Sequence, residues 1–379
     1  ILLEHKRDDP DGAEEMYKRA IEADPNHANN LGNYAIFLKN KRDDPNAAEE
    51  MYKRAIEAEP DNASNLGNYA SFLSNVRGVS DAAEEMYKRA IEAEPDNANN
   101  LGNYAVFLKN ERNDLDAAEE MYKRAIEADP NHANNLGNYA IFLEHKRDDP
   151  DGAEEMYKRA IAADPDNANN LGNYASFLSN VRGVSDAAEE MYKRAIEAEP
   201  DNANNLGSYA IFLKNKRDDP DAAEEMYKRA IEADPNHADN LSNYAVFLES
   251  KRNDPDAAEA MHKRAIEADP ADPNNLANFA LWNYAHGKRG RGDELTEQAW
   301  AAVDDGTPLP LRAEIQLYRW AAGTEEHRAE ARAEVLKLVD AGVRSPGWDF
   351  EPVLAVARRD GRDDVDELER AAASISTSA

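Results

Sequence analysis

The chain has 379 residues, with 76 acidic against 45 basic side chains and a net charge of −31. Phosphate must meet positive charge, so a surface this acidic excludes nucleic acid and anionic membranes as main partners. The absence of cysteine excludes disulfides, thiolate metal sites and a cysteine nucleophile. No apolar run approaches the ~18–20 residues of a membrane span, no signal peptide is visible, and the expected compartment is the cytoplasm. The chain opens on Ile1 rather than Met, inside an apolar stretch, so further residues are expected upstream.

In chain order the dominant feature is an internal repeat. The string MYKRAI begins at Met16, Met51, Met86, Met121, Met156, Met191 and Met226, each 35 residues after the last, and Met261 continues it as MHKRAI. A Tyr-Ala pair keeps step at Tyr34, Tyr69, Tyr104, Tyr139, Tyr174, Tyr209 and Tyr244, and Phe279 takes the next place. The period divides the chain into a partial unit at 1–27, seven full units over 28–272, a degenerate unit at 273–305, and a C-terminal helical region at 306–379. A longer period lies over this one: SFLSNVRGVSD occurs at Ser71 and Ser176, and His27, His132 and His237 recur at the same 105-residue interval. Blocks of three units were copied together.

Each unit predicts two helices. In the first, helix A, Leu31, Tyr34, Ala35 and Leu38 form one apolar helical face; in the second, helix B, Ala48, Met51, Tyr52, Ala55 and Ile56 do the same. Charged and breaker residues from Lys41 to Pro45 predict the turn between them. Pro60 stops helix B, and Asn62 is placed to cap the next helix A. A single hairpin cannot bury both its faces, whereas stacked hairpins can, so the chain predicts an all-α solenoid.

At these residues the units resemble the tetratricopeptide repeat (TPR). The small, aromatic, small and proline positions of its second helix fall on Ala48, Tyr52, Ala55 and Pro60. In the first helix Leu31 stands at the usual tryptophan, and Tyr34, Ala35 and Leu38 occupy the positions that follow; the unit's one extra residue is placed in the turn between the helices. The resemblance implies a right-handed superhelix of stacked helix-turn-helix units. Its first helices would line a concave groove that grips proteins or extended peptide segments.

On helix A a second stripe runs beside the core stripe, as Asn29, Asn33, Ile36 and Asn40 in one unit and Ser64, Asn68, Ser71 and Asn75 in the next. In the family the matching positions face the groove. The third position varies between units (Ile36, Ser71, Val106, Ile141, Ser176, Ile211, Val246, Leu281), and so does the residue three further on (Lys39, Ser74, Lys109, Glu144, Ser179, Lys214, Glu249). Variation there is read either as ligand recognition or as drift on an exposed face. Asn33, Asn68, Asn103, Asn138, Asn173 and Asn243 form a ladder, with Ser208 replacing one rung and Asn278 extending it. An amide offers donors and an acceptor, which suits either the main chain of an extended peptide or a bond between neighbouring helices. The candidate groove is therefore the Asn ladder, with Ile36, Val106, Ile141 and Ile211 as apolar contacts and Lys39, Lys109 and Lys214 as cations. The neighbours of Asn33 in the groove are Asn29 and Gly32, not basic, so the family's clamp for a C-terminal carboxylate is not expected. Gly32, Gly67, Gly102, Gly137, Gly172 and Gly207 stand inside helix A at ~1 kcal/mol each relative to Ala. Close approach of a helix or of a ligand backbone is the expected compensation.

All four tryptophans, Trp282, Trp300, Trp320 and Trp348, fall where the repetition ends. Helices are predicted near 293–303, 309–322, 325–341, 351–359 and 363–374, with a turn at Ser345-Pro346-Gly347-Trp348, and their expected role is to cap the solenoid. Lys288, Arg289 and Arg291 among glycines lack the GKS/T of a phosphate loop. Hydrolase elbows, dinucleotide fingerprints, HExxH and calcium-loop patterns are missing, and the spaced histidines do not suit one metal shell. Neither catalysis nor a cofactor or metal is expected. The reading is a non-catalytic scaffold for a protein or an extended peptide. The alternatives are end-to-end stacking into homo-oligomers and the sensing arm of a larger signalling or defence protein; the Ala- and Arg-rich tail suggests a bacterial source.

Overall fold

A computed structural model describes residues 9–304, 306–346 and 348–377. Among these residues every regular element is helical, and the fold is an α-solenoid of stacked hairpins. The chain forms two compact units, one ending at Arg182 and one beginning at Gly183.

In the first unit a helix at Pro10–Ala23 precedes the hairpins Ala28–Lys41 with Pro45–Ala58, Ala63–Asn75 with Ser80–Ala93, Ala98–Phe107 with Leu115–Ala128, and Ala133–Phe142 with Pro150–Ala163; Ala168–Asn180 follows. Helix B ends where proline blocks it, and the next helix A starts on the expected cap: the Asn62 side chain accepts from Asn65 N at 3.1 Å. Between helices A and B the chain makes a π-turn, as at Leu108–Arg112 and Leu143–Arg147. The wider turn takes up one residue more than an α-turn would. It closes on a left-handed residue, Asn113 at φ 50° and Asp148 at φ 52°, and Gly78 holds the same register at φ 64°. These are the residue types that tolerate this conformation.

The core repeats with the sequence. Tyr52, Tyr69 and Phe72 pack ring against ring at 5.4–6.2 Å, as do Tyr122, Tyr139 and Phe142 at 5.4–6.1 Å. The phenylalanines lie outside the predicted apolar face, yet they are fully buried. Each is covered by an arginine from the turn: Arg112 stacks on Phe107 at 5.5 Å, and the same guanidinium reaches back to Glu84 at 2.7 Å and Asp81 at 2.6 Å. Glu84 and its equivalents thus join adjacent hairpins.

In the second unit a helix at Ser185–Ala198 precedes the hairpins Ala203–Phe212 with Pro220–Ala233, Ala238–Phe247 with Pro255–Ala268, Pro273–Ala285 with Arg289–Ala301, and Leu309–Ala322 with Glu325–Asp340. Short helices at Glu351–Arg359 and Val365–Ser376 pack on Leu309–Ala322. The helix expected at 293 begins at Arg289, because Gly292 fits against the Tyr284 ring; a Cβ there would come within 2.7 Å of Cε1. Lys288, Arg289 and Arg291 are bound to Glu259, Asp360 and Glu294 at 2.6–2.9 Å, so their charge is used within the chain. Of the turn predicted at 345–348, Gly347 lies outside the described residues, and Trp348 Nε1 donates to the buried Tyr318 hydroxyl at 2.6 Å.

Candidate functional site

Successive A helices meet through an asparagine that the sequence reading did not single out. Asn100 Nδ2 donates to Ala63 O at 3.0 Å, Asn135 to Ala98 O at 2.8 Å and Asn170 to Ala133 O at 3.1 Å; in the second unit Asn240 donates to Ala203 O at 2.9 Å. Each amide lies on a glycine of the preceding helix A. A Cβ on Gly102 would stand 2.7 Å from Asn135 Cγ, inside van der Waals contact. The mid-helix glycines therefore serve close helix approach. Ser242 occupies the glycine position in one unit, and there the latch changes: Asn275 Nδ2 turns to Asp239 at 3.5 Å, and Asn278 donates to Ser242 Oγ at 3.1 Å.

With the helices joined three residues earlier, the predicted ladder is left free. Asn33 and Asn103 are exposed, Asn68, Asn138, Asn173 and Asn243 are half-exposed, and among the described residues no side-chain amide of the six has a hydrogen-bond partner. Asn278 alone of the series is buried and bonded. Two cavities in the first unit open beside the ladder. One, of about 420 Å³, brings Ile141 and Asn173 together with Glu144, His145, Tyr157 and Ser176. A smaller one, of about 70 Å³, brings Asn103 and Val106 together with Ser71, Ser74, Asn75 and Tyr87. Ile36, Ile211, Lys39, Lys109 and Lys214 are half-exposed on the same helix positions of their own hairpins.

The varying helix-A positions decide what happens to a buried hydroxyl beneath them. Tyr87, Tyr122 and Tyr157 are equivalent helix-B residues. Tyr87 shares the smaller cavity with Ser71 and Ser74. Tyr157 donates to Glu144 Oε2 at 2.9 Å. Where position 144 has its counterpart Lys109, the Tyr122 hydroxyl is buried with no partner, and Tyr227, in the hairpin whose counterpart residue is Lys214, is in the same condition. Burial raises all of these phenols, Tyr87 to about 12, so each is a neutral donor. Burial, with the charge of Lys146 nearby, holds the Lys109 ammonium below its usual range; burial and Lys251 do the same to Lys214. Helix-A variation alone was visible in sequence; the phenol's fixed identity in helix B hid its role.

The spaced histidines are caps. Nδ1 of His132 accepts from Asn135 N at 3.3 Å while Nε2 meets Asn99 Oδ1 at 2.9 Å, and His237 repeats the arrangement. Among the described residues no group of three or more His, Asp or Glu side chains converges as a metal site, and no helix is long and apolar enough to cross a membrane.

Three family models match the chain. One, described as TmcB, TPR repeats, covers residues 170–239. Two described as tetratricopeptide repeat cover 109–169 with 214–280, and 77–133. No curated protein matches significantly. Among solved structures, Pseudomonas aeruginosa PilF is 18% identical at a TM-score of 0.46, over 56% of this chain and 93% of that one. YrrB, described as a TPR protein with an unusual peptide-binding site, is 21% identical at a TM-score of 0.36, over 51% of this chain and 97% of that one. The matched models together span residues 77–280, more than half of the sequence, and the chain belongs to the tetratricopeptide repeat family.

Proposed function

We propose that the chain is a non-catalytic scaffold that holds an extended peptide or protein segment along the exposed stripe of its A helices. One observation carries this reading: six equivalent amides, Asn33, Asn68, Asn103, Asn138, Asn173 and Asn243, stand solvent-facing and unbonded in mid-helix positions, where Asn is a poor helix former. Their donors and acceptor match a peptide main chain, and Ile36, Val106, Ile141 and Ile211 add apolar contacts between them. The test is selection of displayed unstructured peptides by the immobilised protein. Exchange of Asn68, Asn103 and Asn138 for Ala should cut retention of the selected peptides by at least tenfold at unchanged far-UV circular dichroism. Equal retention by the variant would overturn the mechanism.

A further inference from the structure

We infer that Lys109, Lys146 and the Tyr122 hydroxyl form a subsite for one carboxylate side chain, Asp or Glu, of the bound peptide. The inference rests on the groove reading above and names a chemistry that reading leaves open. Three groups in one part of the first unit lack partners. Tyr122 is fully buried and its hydroxyl has no acceptor. Neither the Lys109 nor the Lys146 ammonium has a carboxylate or acceptor among the described residues. The two cations lie near enough for Lys146 to disfavour the charge of Lys109.

Equivalent positions show what is missing. One hairpin later Glu144 supplies a carboxylate to the phenol, Tyr157 to Glu144 at 2.9 Å, and the cavity beside Ile141 reaches both residues. In the second unit the equivalent of Lys146, Lys251, is neutralised by Asp218 at 2.9 Å, whereas the position equivalent to Asp218 is Asn113. The Lys109 hairpin therefore carries two donor cations and a phenol donor while both carboxylates that satisfy them elsewhere are absent. A carboxylate has acceptor sites for all three donors. The Lys109 stem is long enough to swing its ammonium outward and open the phenol to the incoming oxygen. The charge-assisted bonds would favour an acidic side chain here. At the next hairpin, where Glu144 already serves the phenol, no acidic side chain is called for.

The test uses the full chain with 13C-labelled lysine and three probes: a ten-residue peptide of Ser, Ala and Val, capped at both ends and carrying one central Glu; its Gln counterpart; and sodium acetate. The Glu peptide should bind about tenfold more tightly than the Gln peptide, shift the Lys109 and Lys146 ε signals, and act at far lower concentration than acetate. Tyr122→Phe and Lys109→Met should each shrink the Glu-over-Gln preference. Lys109→Glu should rebuild the Glu144–Tyr157 arrangement and abolish the preference. If the two peptides bind equally, the subsite is wrong and the groove reading stands. If neither peptide binds while acetate shifts the lysine signals, the groove reading fails and the site takes free small anions only. If no probe binds, both readings fall.

Discussion

The half-buried glutamates of the repeated hairpins and the buried Glu314 of the C-terminal helices are handled in opposite ways. Glu84 lies 2.6 Å from Lys88 and 2.7 Å from Arg112, and these bonds hold its carboxyl below the usual range. Glu49, Glu119 and Glu154 are lowered in the same way. In the C-terminal region Glu314 is 5% exposed and bonded only to the Ser345 hydroxyl, and burial pushes it up to about 7. A paired carboxylate stabilises the fold when ionised, whereas this unpaired one stabilises it when protonated. The repeats reuse one ion-pair solution, and the C-terminal helices make each contact once.

The largest expected effect breaks this comparison at Glu314. Its folded value lies above its unfolded value, so between about pH 4.5 and 7 the native state holds a proton that the unfolded state has lost. Stability of the C-terminal region should therefore fall by up to about 3 kcal/mol as pH rises through that window. All four tryptophans lie after residue 280, so urea unfolding followed by tryptophan fluorescence reads this region. Glu314→Gln should flatten the dependence; an unchanged slope would remove Glu314 as its source. The repeats have the reverse sign. Their carboxylates are depressed, so their contribution is present above about pH 4.5 and is lost as pH falls below it. Far-UV circular dichroism should show that loss on acidification.

Next comes the latch between hairpins. Helix propensity alone makes Gly102→Ala stabilising by ~1 kcal/mol. The structure reverses the sign, because the new methyl displaces the Asn135 amide from Ala98 O, at a cost of ~1–3 kcal/mol for the unmade bond. A cycle with Asn135→Ala should show strong coupling in chemical unfolding, since the double variant has room for the methyl. Additivity would refute the latch.

A smaller effect is expected at Arg112, which joins two carboxylates and covers Phe107. Arg112→Met should lower the urea midpoint slightly, and the loss should shrink at high salt; a loss independent of salt would point to packing alone. The smallest and most diagnostic pair compares two equivalent phenols. Tyr157→Phe removes a bond to Glu144 and should destabilise by ~1 kcal/mol. Tyr122→Phe removes a hydroxyl without a partner and should be neutral or slightly stabilising. Equal costs would mean that the helix-A residue above does not set the phenol's state.

The architecture was legible because it rests on short-range rules repeated many times. Alternation of apolar positions, Pro60 as a stop and Asn62 as a cap act within a few residues and need no partner from elsewhere. The free Asn ladder was legible as a stripe, but its freedom was not. That depended on Asn100, Asn135, Asn170 and Asn240 taking the helix-to-helix bond, a contact 37 residues away in sequence. Phe107 was missed for a similar reason, since an arginine from the turn covers a position that helical periodicity places off the core face.

The sequence by itself determined the helices, their stacking and the family, because a fixed period with matched caps and breaks leaves one arrangement that buries every apolar face. Tertiary structure alone decided which polar groups are spent and which are free. Asn135 and Asn138 are the same residue type on one helix, yet the first is latched onto the preceding helix and the second faces solvent unbonded. Hydrogen bonds between hairpins depend on distances set by the packing of both, and no local pattern encodes them.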